Sequence, residues 1–418
     1  MSPDKTDVLI VGAGPAGLAA GIELKRLGVT NVLVVEREDE PGGIPRLCHH
    51  AGFGLRDLRW IYSGPGYARH YVREAEAAGV EIRTSTTMTG WQSSATVTFT
   101  SPRGLGQIEA GAILLATGCR ERPRSARLVP GRRPQGVFTT GSLQRFVYQH
   151  RLPVGKRAVI VGAELVSLSA LMTLAHARVS AAAMVTELPR HQIYFPYLPA
   201  KWYFADLAAR TPVVTGARVS NIVGGTRVEG VEITHLASEQ REMLACDTVV
   251  FTGDWIPEHE LARLSGLTLD PGTRGPQVDA GFRTSARGVF AAGNLLRGAE
   301  TADTCALEGT RVARHIHDYL NTGQWPAASL PVQVKPPITW MFPNVVRVSG
   351  ERPVAGGFTF RVREFCQDAR VTVWQGEKSL YAQSFRQLSP NDSARLGSDW
   401  LAAVNPAGEA LRVGVRHS

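Results

Sequence analysis

Residues 7–39 read DVLIVGAGPAGLAAGIELKRLGVTNVLVVERED, and this stretch decides the fold. An apolar run, Val8–Val11, predicts a buried strand that meets three glycines spaced as Gly-x-Gly-x-x-Gly, and a helical pattern and a second apolar strand follow. This order of strand, glycine-rich turn, helix and strand is typical of a dinucleotide-binding motif at the carboxyl edge of a parallel sheet. The sequence therefore predicts an α/β protein that begins with a Rossmann-like motif.

Each residue of the turn has a separate physical task. Gly12 permits the tight turn, Gly14 lets a pyrophosphate approach the backbone, and Gly17 lets the helix pack closely on the strand. The helix begins at Pro15 and Ala16, and its N-terminus offers free N–H groups and partial positive charge to phosphates. We predict that these five residues bind a cofactor.

An acidic residue completes the motif at the end of the second strand. Glu36 follows Gly12 by 24 residues and can accept hydrogen bonds from the ribose hydroxyls of an adenosine. We assign Arg37 and Met88 to the same binding site.

The composition is that of an ordinary globular protein long enough for two or three domains. The chain has 418 residues, of which 44% are hydrophobic and 20% charged, and its net charge is +9. The basic residues are scattered without a run of four, so we expect no nucleic-acid partner. Since no run of 18 apolar residues occurs, we also expect no membrane span.

The cysteines are few and far apart. No CxxC or Cx4C pair occurs, which argues against a zinc ribbon, a locally bound Fe–S cluster and a vicinal redox disulfide, so we predict no metal site. Their sparse, odd number suits a reducing compartment, and we expect a cytoplasmic protein. The five are Cys48, Cys119, Cys246, Cys305 and Cys366.

Three further motifs follow the first turn in a fixed order. The glycine doublet Gly42–Gly43 lies in a loop, Thr117–Gly118 ends an apolar strand in AILLATG, and Gly293–Asn294 ends another in GVFAAGN. Over about residues 5–320 this set resembles the two-dinucleotide-binding flavoproteins of the pyridine nucleotide–disulfide oxidoreductase superfamily. The resemblance implies two Rossmann-like domains, the second inserted in the first, and FAD as the cofactor.

The resemblance also implies roles for individual residues. The first turn would bind the ADP half of FAD, with Gly43, Thr117 and Gly118 beside it. Gly293 and Asn294 stand where the family has Gly-Asp, and the carboxylate of that aspartate binds a ribitol hydroxyl. Asn294 can still form such a hydrogen bond, but it carries no charge. Thr301 and Ala302 would lie at the start of a helix, with Thr301 or Asp303 near its N-cap, and the N-terminus of this helix would stabilise negative charge at N1 and O2 of the reduced flavin.

The redox cysteine pair of the disulfide reductases is missing. The loop reads EPGGIPRLCHHAGFGLRD, with Cys48, His49 and His50 but no second thiol, so we predict an oxidoreductase that is not a disulfide reductase. Two interpretations of these three side chains stay open. They are catalytic, as proton donors or contacts of the flavin ring, or they are polar loop residues that satisfy the backbone or a subunit contact.

A second Rossmann-like motif lies in the middle of the chain. Strand 158–161 runs into Gly162, a helix covers about 165–177, and a second strand at 181–185 leads to Glu187, 25 residues after Gly162. The layout matches the first motif. We predict a nicotinamide-type domain.

The phosphate turn of this second motif is altered. Glu164 and Ser167 stand where the second and third glycines belong. A carboxylate about 4 Å from a phosphate costs roughly 4 kcal/mol at an effective dielectric constant near 20. Either NAD(P)H binding is weakened or lost, or Glu164 turns into solvent and NAD(P)H still binds. Arg190 could reach the 2′-phosphate of NADPH, which Glu187 disfavours.

These motifs divide the chain into four parts. We predict an FAD domain at 1–152 and 246–322, an NAD(P)-binding-like domain at 153–245 and a linker at 323–337. The alternating pattern of 338–418 predicts a small antiparallel β domain, either an interface with a partner subunit or a stabilising module.

The segment GGIPRLCHHAGFGLRD…SGPGYARHY, residues 42–71, narrows the resemblance to the smaller flavoprotein subunit of multi-subunit dehydrogenases for glycerol-phosphate, amino acids or opines. It implies a hetero-oligomer containing a second dehydrogenase subunit, a small Fe–S subunit, or both. We therefore expect an FAD-dependent electron-transfer component. The alternatives are a self-contained NAD(P)H-dependent flavin reductase or oxidase, and a largely non-catalytic flavoprotein that organises partner subunits.

Overall fold

A computed structural model describes residues 3–195, 197–326, 329–347 and 357–417. The chain forms two compact units. The first unit takes in the chain up to residue 46, residues 51–119 and the chain from residue 257 onward. The second unit consists of residues 47–50 and 120–256.

The strands are numbered in chain order. As far as residue 121 they are β1 (Asp4–Val11), β2 (Val32–Val35), β3 (Ala51–Phe53), β4 (Tyr62–Ser63), β5 (Glu81–Arg83), β6 (Thr87–Trp91), β7 (Thr96–Ser101), β8 (Gly104–Leu115) and β9 (Cys119–Glu121). As far as residue 257 they are β10 (Val137–Thr139), β11 (Arg157–Val161), β12 (Ser180–Val185), β13 (Val213–Val214), β14 (Ala217–Gly224), β15 (Val228–His235), β16 (Arg241–Ala245), β17 (Thr248–Phe251) and β18 (Trp255–Pro257). The remainder are β19 (Val289–Ala291), β20 (Ser329–Val334), β21 (Ile338–Phe342), β22 (Val345–Arg347), β23 (Gly357–Val362), β24 (Cys366–Gln375), β25 (Lys378–Leu388), β26 (Ala394–Gly397) and β27 (Leu411–His417).

The α-helices are α1 (Pro15–Arg26), α2 (Gly64–Ala77), α3 (Thr140–Gln144), α4 (Leu165–His176), α5 (Leu198–Lys201), α6 (Glu260–Leu264) and α7 (Ala302–Thr322). Within the described ranges, no helix combines the length and the apolar composition that a bilayer span requires.

The main sheet of the first unit has the strand order β5-β2-β1-β8-β7-β6, and β19 also pairs with β8. Strands β5, β2, β1, β8 and β19 are parallel, whereas β6 and β7 are antiparallel additions. The apolar run Val8–Val11 is buried throughout, as expected for a central parallel strand covered on both faces. Helix α1 packs against α7, where a side chain on Gly309 would come within 2.1 Å of the Ala16 carbonyl oxygen.

The second unit contains a parallel sheet with the order β10-β17-β11-β12-β13. One face of β11 packs against α4, with Ile160 and Leu171 in a shared core. The other face packs against the antiparallel sheet β14-β15-β16, where Val159 shares a core with Val231. The predicted fold class, with two Rossmann-like sheets and a C-terminal β domain, is confirmed.

The C-terminal β domain (residues 329–347 and 357–417) consists of a sheet with the order β22-β20-β27-β24-β25 and a second sheet, β21-β23-β26. Its pairs are antiparallel except for β20 with β27. Strand β20 lies inside the predicted linker 323–337, so that prediction is wrong over residues 329–334. The proline content suggested a linker, but Leu330 and Val332 alternate with exposed residues and are buried.

Candidate functional site

The first candidate site lies where β1 and β8 end side by side. Strand β1 leads to β2 on one side and pairs with β8 on the other, and ligands of open α/β sheets bind at such a change of strand order. Gly12 turns the chain at this point with φ +110°, and a side chain on it would lie 2.4 Å from the Ala116 carbonyl oxygen. This turn can therefore form only with glycine.

The other two glycines of the motif differ in their surroundings. A side chain on Gly17 would lie 2.0 Å from the Gly12 carbonyl oxygen, so Gly17 is required for packing. A side chain on Gly14 would meet no protein atom within 4 Å. Gly14 thus faces open space at the N-terminus of α1, where Pro15 is the first helical residue, and this space suits a pyrophosphate.

Glu36 is held in place by the same turn. Its Oε2 accepts a hydrogen bond from the Ala13 amide at 3.0 Å, and its Oε1 accepts one from the Glu38 amide at 3.0 Å. Each carboxylate oxygen has a second lone pair, so both can also accept a ribose hydroxyl. The neighbouring Arg37 forms an ion pair with Glu258 at 3.4 Å, and Met88 is half-buried on β6.

The Thr117–Gly118 turn follows the end of β8 and is fixed by Glu258. The Thr117 hydroxyl donates to the Glu258 carbonyl oxygen at 2.8 Å, and the Glu258 amide donates to the Gly118 carbonyl oxygen at 2.9 Å. Gly43 approaches the phosphate turn from the loop, and a side chain on it would lie 2.9 Å from the Gly14 Cα. The Gly43 loop therefore lies next to the open space at Gly14, and the Thr117–Gly118 turn lies at the edge of the sheet where β8 ends.

The Gly293–Asn294 turn lies between β19 and α7. Gly293 has φ +74°, and a side chain on it would lie 2.9 Å from the Ala16 Cβ, so this turn also touches α1. The Asn294 Oδ1 accepts hydrogen bonds from the Glu300 amide at 2.9 Å and from the Cys305 thiol at 3.1 Å. The asparagine side chain is therefore oriented by protein contacts.

Helix α7 has Thr301 as its N-cap and Ala302 as its first residue, so the cap is Thr301 and not Asp303, the other predicted candidate. The Thr301 hydroxyl accepts a hydrogen bond from the Thr304 amide at 3.4 Å. The Asp303 carboxylate accepts hydrogen bonds from the Gly54 and Arg56 amides at 3.0 and 2.9 Å. The open phosphate turn, the ribose acceptor, the Asn294 turn and this helix N-terminus fit FAD.

The second sheet has an equivalent position between β11 and β17, and a side chain occupies it. Gly162 ends β11 with φ +141°. The Glu164 carboxyl lies close to both strand ends, with Oε2 2.7 Å from where a Cβ on Gly162 would be and Oε1 3.1 Å from a Cβ on Gly253. The carboxyl of Glu164 therefore fills the switch point that is open in the first sheet.

Glu164 is almost fully buried, with 5% of its surface exposed. Burial raises the pKa of its carboxyl, against the opposing effects of a hydrogen bond with Thr252 and the charge of Arg127. Among the described residues, Oε1 has no hydrogen-bond partner. Repulsion between Glu164 and a phosphate requires an ionised carboxylate. The buried side chain, however, occupies the space at the turn in either protonation state.

The remaining residues of the second turn also differ from the first. Ser167 is buried in the first turn of α4, and its hydroxyl donates to the Glu164 carbonyl oxygen. Glu187 is exposed, whereas the corresponding Glu36 is buried, and Arg190 is exposed as well. This turn does not fit a dinucleotide as the first turn does.

The loop with the candidate catalytic side chains belongs to the second unit. The Cys48 thiol lies 3.7 Å from the Gln144 Oε1, and the Gln144 Nε2 donates to the Ser169 hydroxyl at 2.9 Å. The His50 Nε2 lies 2.9 Å from the same hydroxyl. Cys48, Gln144, Ser169 and His50 thus form one polar network, and nothing in the sequence signalled Gln144 or Ser169.

The other two features of this loop concern His49 and the acidity of Cys48. The His49 ring stacks on Tyr148 with a centroid distance of 3.9 Å. Burial raises the pKa of the Cys48 thiol to about 12. A thiol with this pKa is protonated at neutral pH and is a weak nucleophile. A catalytic role for Cys48, His49 or His50 stays a prediction.

The architecture and the first site define a dinucleotide-binding flavoprotein. Residues 6–309 match the model of the pyridine nucleotide-disulphide oxidoreductase family. The chain belongs to this family and is a flavoprotein oxidoreductase, which confirms the resemblance seen in its motifs.

Relatives and solved structures agree with this assignment. An opine oxidase subunit of Rhizobium meliloti is 28% identical over 328 residues, which cover 71% of this chain and 60% of that protein. The alpha subunit of sarcosine oxidase from the same species (strain 1021) is 25% identical over 61% of this chain and 25% of its own length. In fold, the chain is similar to thioredoxin reductase of T. acidophilum, with a TM-score of 0.62, 20% identity, and coverage of 75% and 98% of the two chains.

The contrast between Gly14 and Gly17 leads to a first prediction. Gly14→Ala leaves the fold intact because its Cβ meets no protein atom, but the methyl group enters the space of the pyrophosphate, so FAD affinity falls by about tenfold or more. Gly17→Ala forces α1 away from the turn and lowers stability by about 1–3 kcal/mol. Apoprotein melting curves and FAD titration measure the two effects. Equal melting temperatures for the two variants would contradict this assignment.

The high pKa of Cys48 leads to a second prediction. At pH 8 iodoacetamide should alkylate Cys48 in the native protein on the order of a thousandfold more slowly than in urea, because the thiolate fraction is that much smaller. The native rate should rise with pH up to about 12. Mass spectrometry of the peptide that contains Cys48 gives both rates. A native rate close to the unfolded rate at pH 8 would point to an activated thiol.

Proposed function

We propose that this chain is the FAD-binding, electron-transferring subunit of a hetero-oligomeric dehydrogenase, and that its flavin is not reduced by NAD(P)H. The observation that carries the proposal is the buried carboxyl of Glu164 between the ends of β11 and β17. The equivalent space between β1 and β8 is open. One dinucleotide site is thus available and the other is filled by the protein itself.

The FAD site is built from backbone and a few side chains. The α1 N-terminus and Gly14 receive the pyrophosphate, and Glu36 accepts the ribose hydroxyls. Asn294 orients the ribitol, and the N-terminus of α7 offers positive charge to a reduced flavin. Bound FAD supplies the redox chemistry, because it accepts and releases electrons as hydride or singly. The protein would bind FAD and orient it.

Two common routes of electron entry are disfavoured in this chain. All five cysteines lie within the described residues and none of them forms a disulfide, so a dithiol relay has no cysteine pair. A nicotinamide donor would need the turn that Glu164 fills. We infer that electrons reach the flavin from a second redox centre in another protein.

Two observations support a partner subunit. Three relatives that match most of this chain are named as subunits of opine oxidases, and another is named as the alpha subunit of a sarcosine oxidase. In the first unit, Leu55, Trp60 and Ile61 expose 59%, 68% and 59% of their surface within seven residues. Large exposed apolar side chains so close together are typical of a protein interface. The donor subunit would oxidise a small amine or amino-acid-like substrate, as the names of these relatives suggest.

Anaerobic reduction of the FAD-loaded protein tests the proposal. The wild-type flavin should bleach with dithionite but not with NADH or NADPH at about 1 mM, the upper end of ordinary KM values. The Glu164→Gly/Ser167→Gly variant restores the glycine pattern, opens the crevice and should gain reduction by NADH. Glu164→Gln keeps the volume without the charge and should stay unreduced, because the obstruction is steric.

Each variant must show the wild-type flavin spectrum and dithionite reduction, which establishes that its flavin site is intact. Rapid bleaching of the wild-type protein by micromolar NADH would instead support a self-contained NAD(P)H-dependent flavin reductase. Bleaching of Glu164→Gln alone would assign the obstruction to charge. No gain in the double variant would show that Glu164 is not the obstacle.

A further inference from the structure

A carboxylate that exposes only 14% of its side chain lies between the Asn294 turn and α7. The Glu300 Oε1 is 2.7 Å from the Arg361 Nη2 and accepts a hydrogen bond from the Ser393 hydroxyl at 2.6 Å. Burial alone would raise the pKa of Glu300, but the charges of Arg361 and Arg297 lower it below its ordinary value. Glu300 is therefore ionised at neutral pH, and its counter-charge comes partly from the C-terminal β domain.

Arg361 makes several contacts besides the one with Glu300, in the loop of residues 295–301 and in the C-terminal β domain. Its Nη2 also donates to the Ala299 carbonyl oxygen at 2.9 Å, and its Nε donates to the Ser393 hydroxyl at 3.0 Å. The guanidinium lies over the Trp340 ring, 5.3 Å from the centroid. Arg361 on β23 and Ser393 next to β26 thus hold residues 299 and 300 from one side.

A second buried ion pair holds the loop from the other side. Arg297 donates from Nη2 to the Glu308 Oε1, and it stacks over the Phe342 ring at 4.1 Å. The Glu308 Oε2 accepts a hydrogen bond from the Gly293 amide at 3.1 Å. The beginning of the loop is therefore tied to α7, and its end is tied to the C-terminal β domain.

The consequence for Asn294 is specific. Its Oδ1 is used by the Glu300 amide and the Cys305 thiol, and its Nδ2 has no acceptor among the described residues. Asn294 therefore presents a hydrogen-bond donor to a ligand at this turn, and the position of Glu300 sets the direction of that donor. Moving Glu300 would rotate the amide.

This ion network is not needed to attach the C-terminal β domain. Arg347 on β22 pairs with Asp279 at 2.6 Å, and the Asn344 Oδ1 accepts from the Val278 amide at 2.7 Å. Trp340 also belongs to the core of the first unit. Since buried ion pairs are costly and apolar contacts would hold the domain as well, the charges at Glu300 call for another role.

We propose that Arg361 and Ser393 are positioning residues for the flavin: through Glu300 they orient the Asn294 amide toward the ribitol of FAD. The C-terminal β domain is thus part of the cofactor site and not only a surface for partners. This inference rests on FAD binding as proposed above.

FAD titration of apoprotein, the visible circular dichroism of the bound flavin and the melting temperature of apoprotein test the inference. Arg361→Ala should raise the Kd for FAD by about tenfold, because a hydrogen bond to a charged group is lost. It should also change the visible circular dichroism, which reports the seating of the ring. Arg361→Lys keeps the charge and should recover part of the affinity. Ser393→Ala should raise the Kd several-fold and carries the test if Arg361→Ala does not fold.

Arg347→Ala is the matched control, since it removes an arginine that attaches the same domain elsewhere. It should lower the melting temperature of the apoprotein and leave the Kd for FAD and the flavin spectrum unchanged. Wild-type Kd and dichroism in both Arg361→Ala and Ser393→Ala would overturn the inference, as would an equal rise of Kd in Arg347→Ala. A wild-type protein that binds no FAD would instead refute the proposed function itself.

Discussion

The backbone of Gly12 passes so close to the Ala116 carbonyl oxygen that a side chain on Gly12 would lie 2.4 Å from it. The open space at the N-terminus of α1 depends on this close approach. Because β1 and β8 end together without protruding side chains, the N-terminus of α1 faces open space. The second sheet repeats the geometry with Gly162 but not the space, since Glu164 lies between the strand ends. The Glu164 side chain is therefore the main difference between the open turn of the first sheet and the filled turn of the second.

In the proposed function, this difference determines how electrons reach the flavin. The family is named after a nicotinamide nucleotide and a disulfide. In this chain a carboxyl lies in the second turn, and the five cysteines, all among the described residues, form no disulfide. The first turn, which we propose binds FAD, is open, and ion pairs with little exposure to solvent surround the Asn294 turn. The proposed transfer of electrons between a partner and an acceptor agrees with these features. The chain matches 60% of the length of the opine oxidase subunit of Rhizobium meliloti, so a large part of that relative lies outside the similarity.

The sequence predicted what local spacing controls. The Gly12 turn, the strand before it and the family all follow from short motifs and are confirmed, whereas the motif at the start of α7 left Thr301 and Asp303 open as its cap. Contacts between segments far apart in the chain could not be predicted from the sequence. The position of Glu164 was foreseen, but its inward orientation depends on a strand end about 90 residues later. In the same way, the ion pair of Glu300 joins it to Arg361, 61 residues later. Strand β20 is stabilised by pairing with β27, which lies near the end of the chain.

We propose that Glu164 fills the second dinucleotide site, and equilibrium binding of NADH and NADPH tests this proposal. Isothermal titration of NADH and NADPH into the FAD-loaded wild-type protein observes the site without requiring electron transfer. We predict no saturable heat up to about 1 mM ligand, a concentration that corresponds to roughly 4 kcal/mol of binding free energy. A micromolar Kd with one site per chain would show that the second turn binds NAD(P)H and that Glu164 does not fill the site.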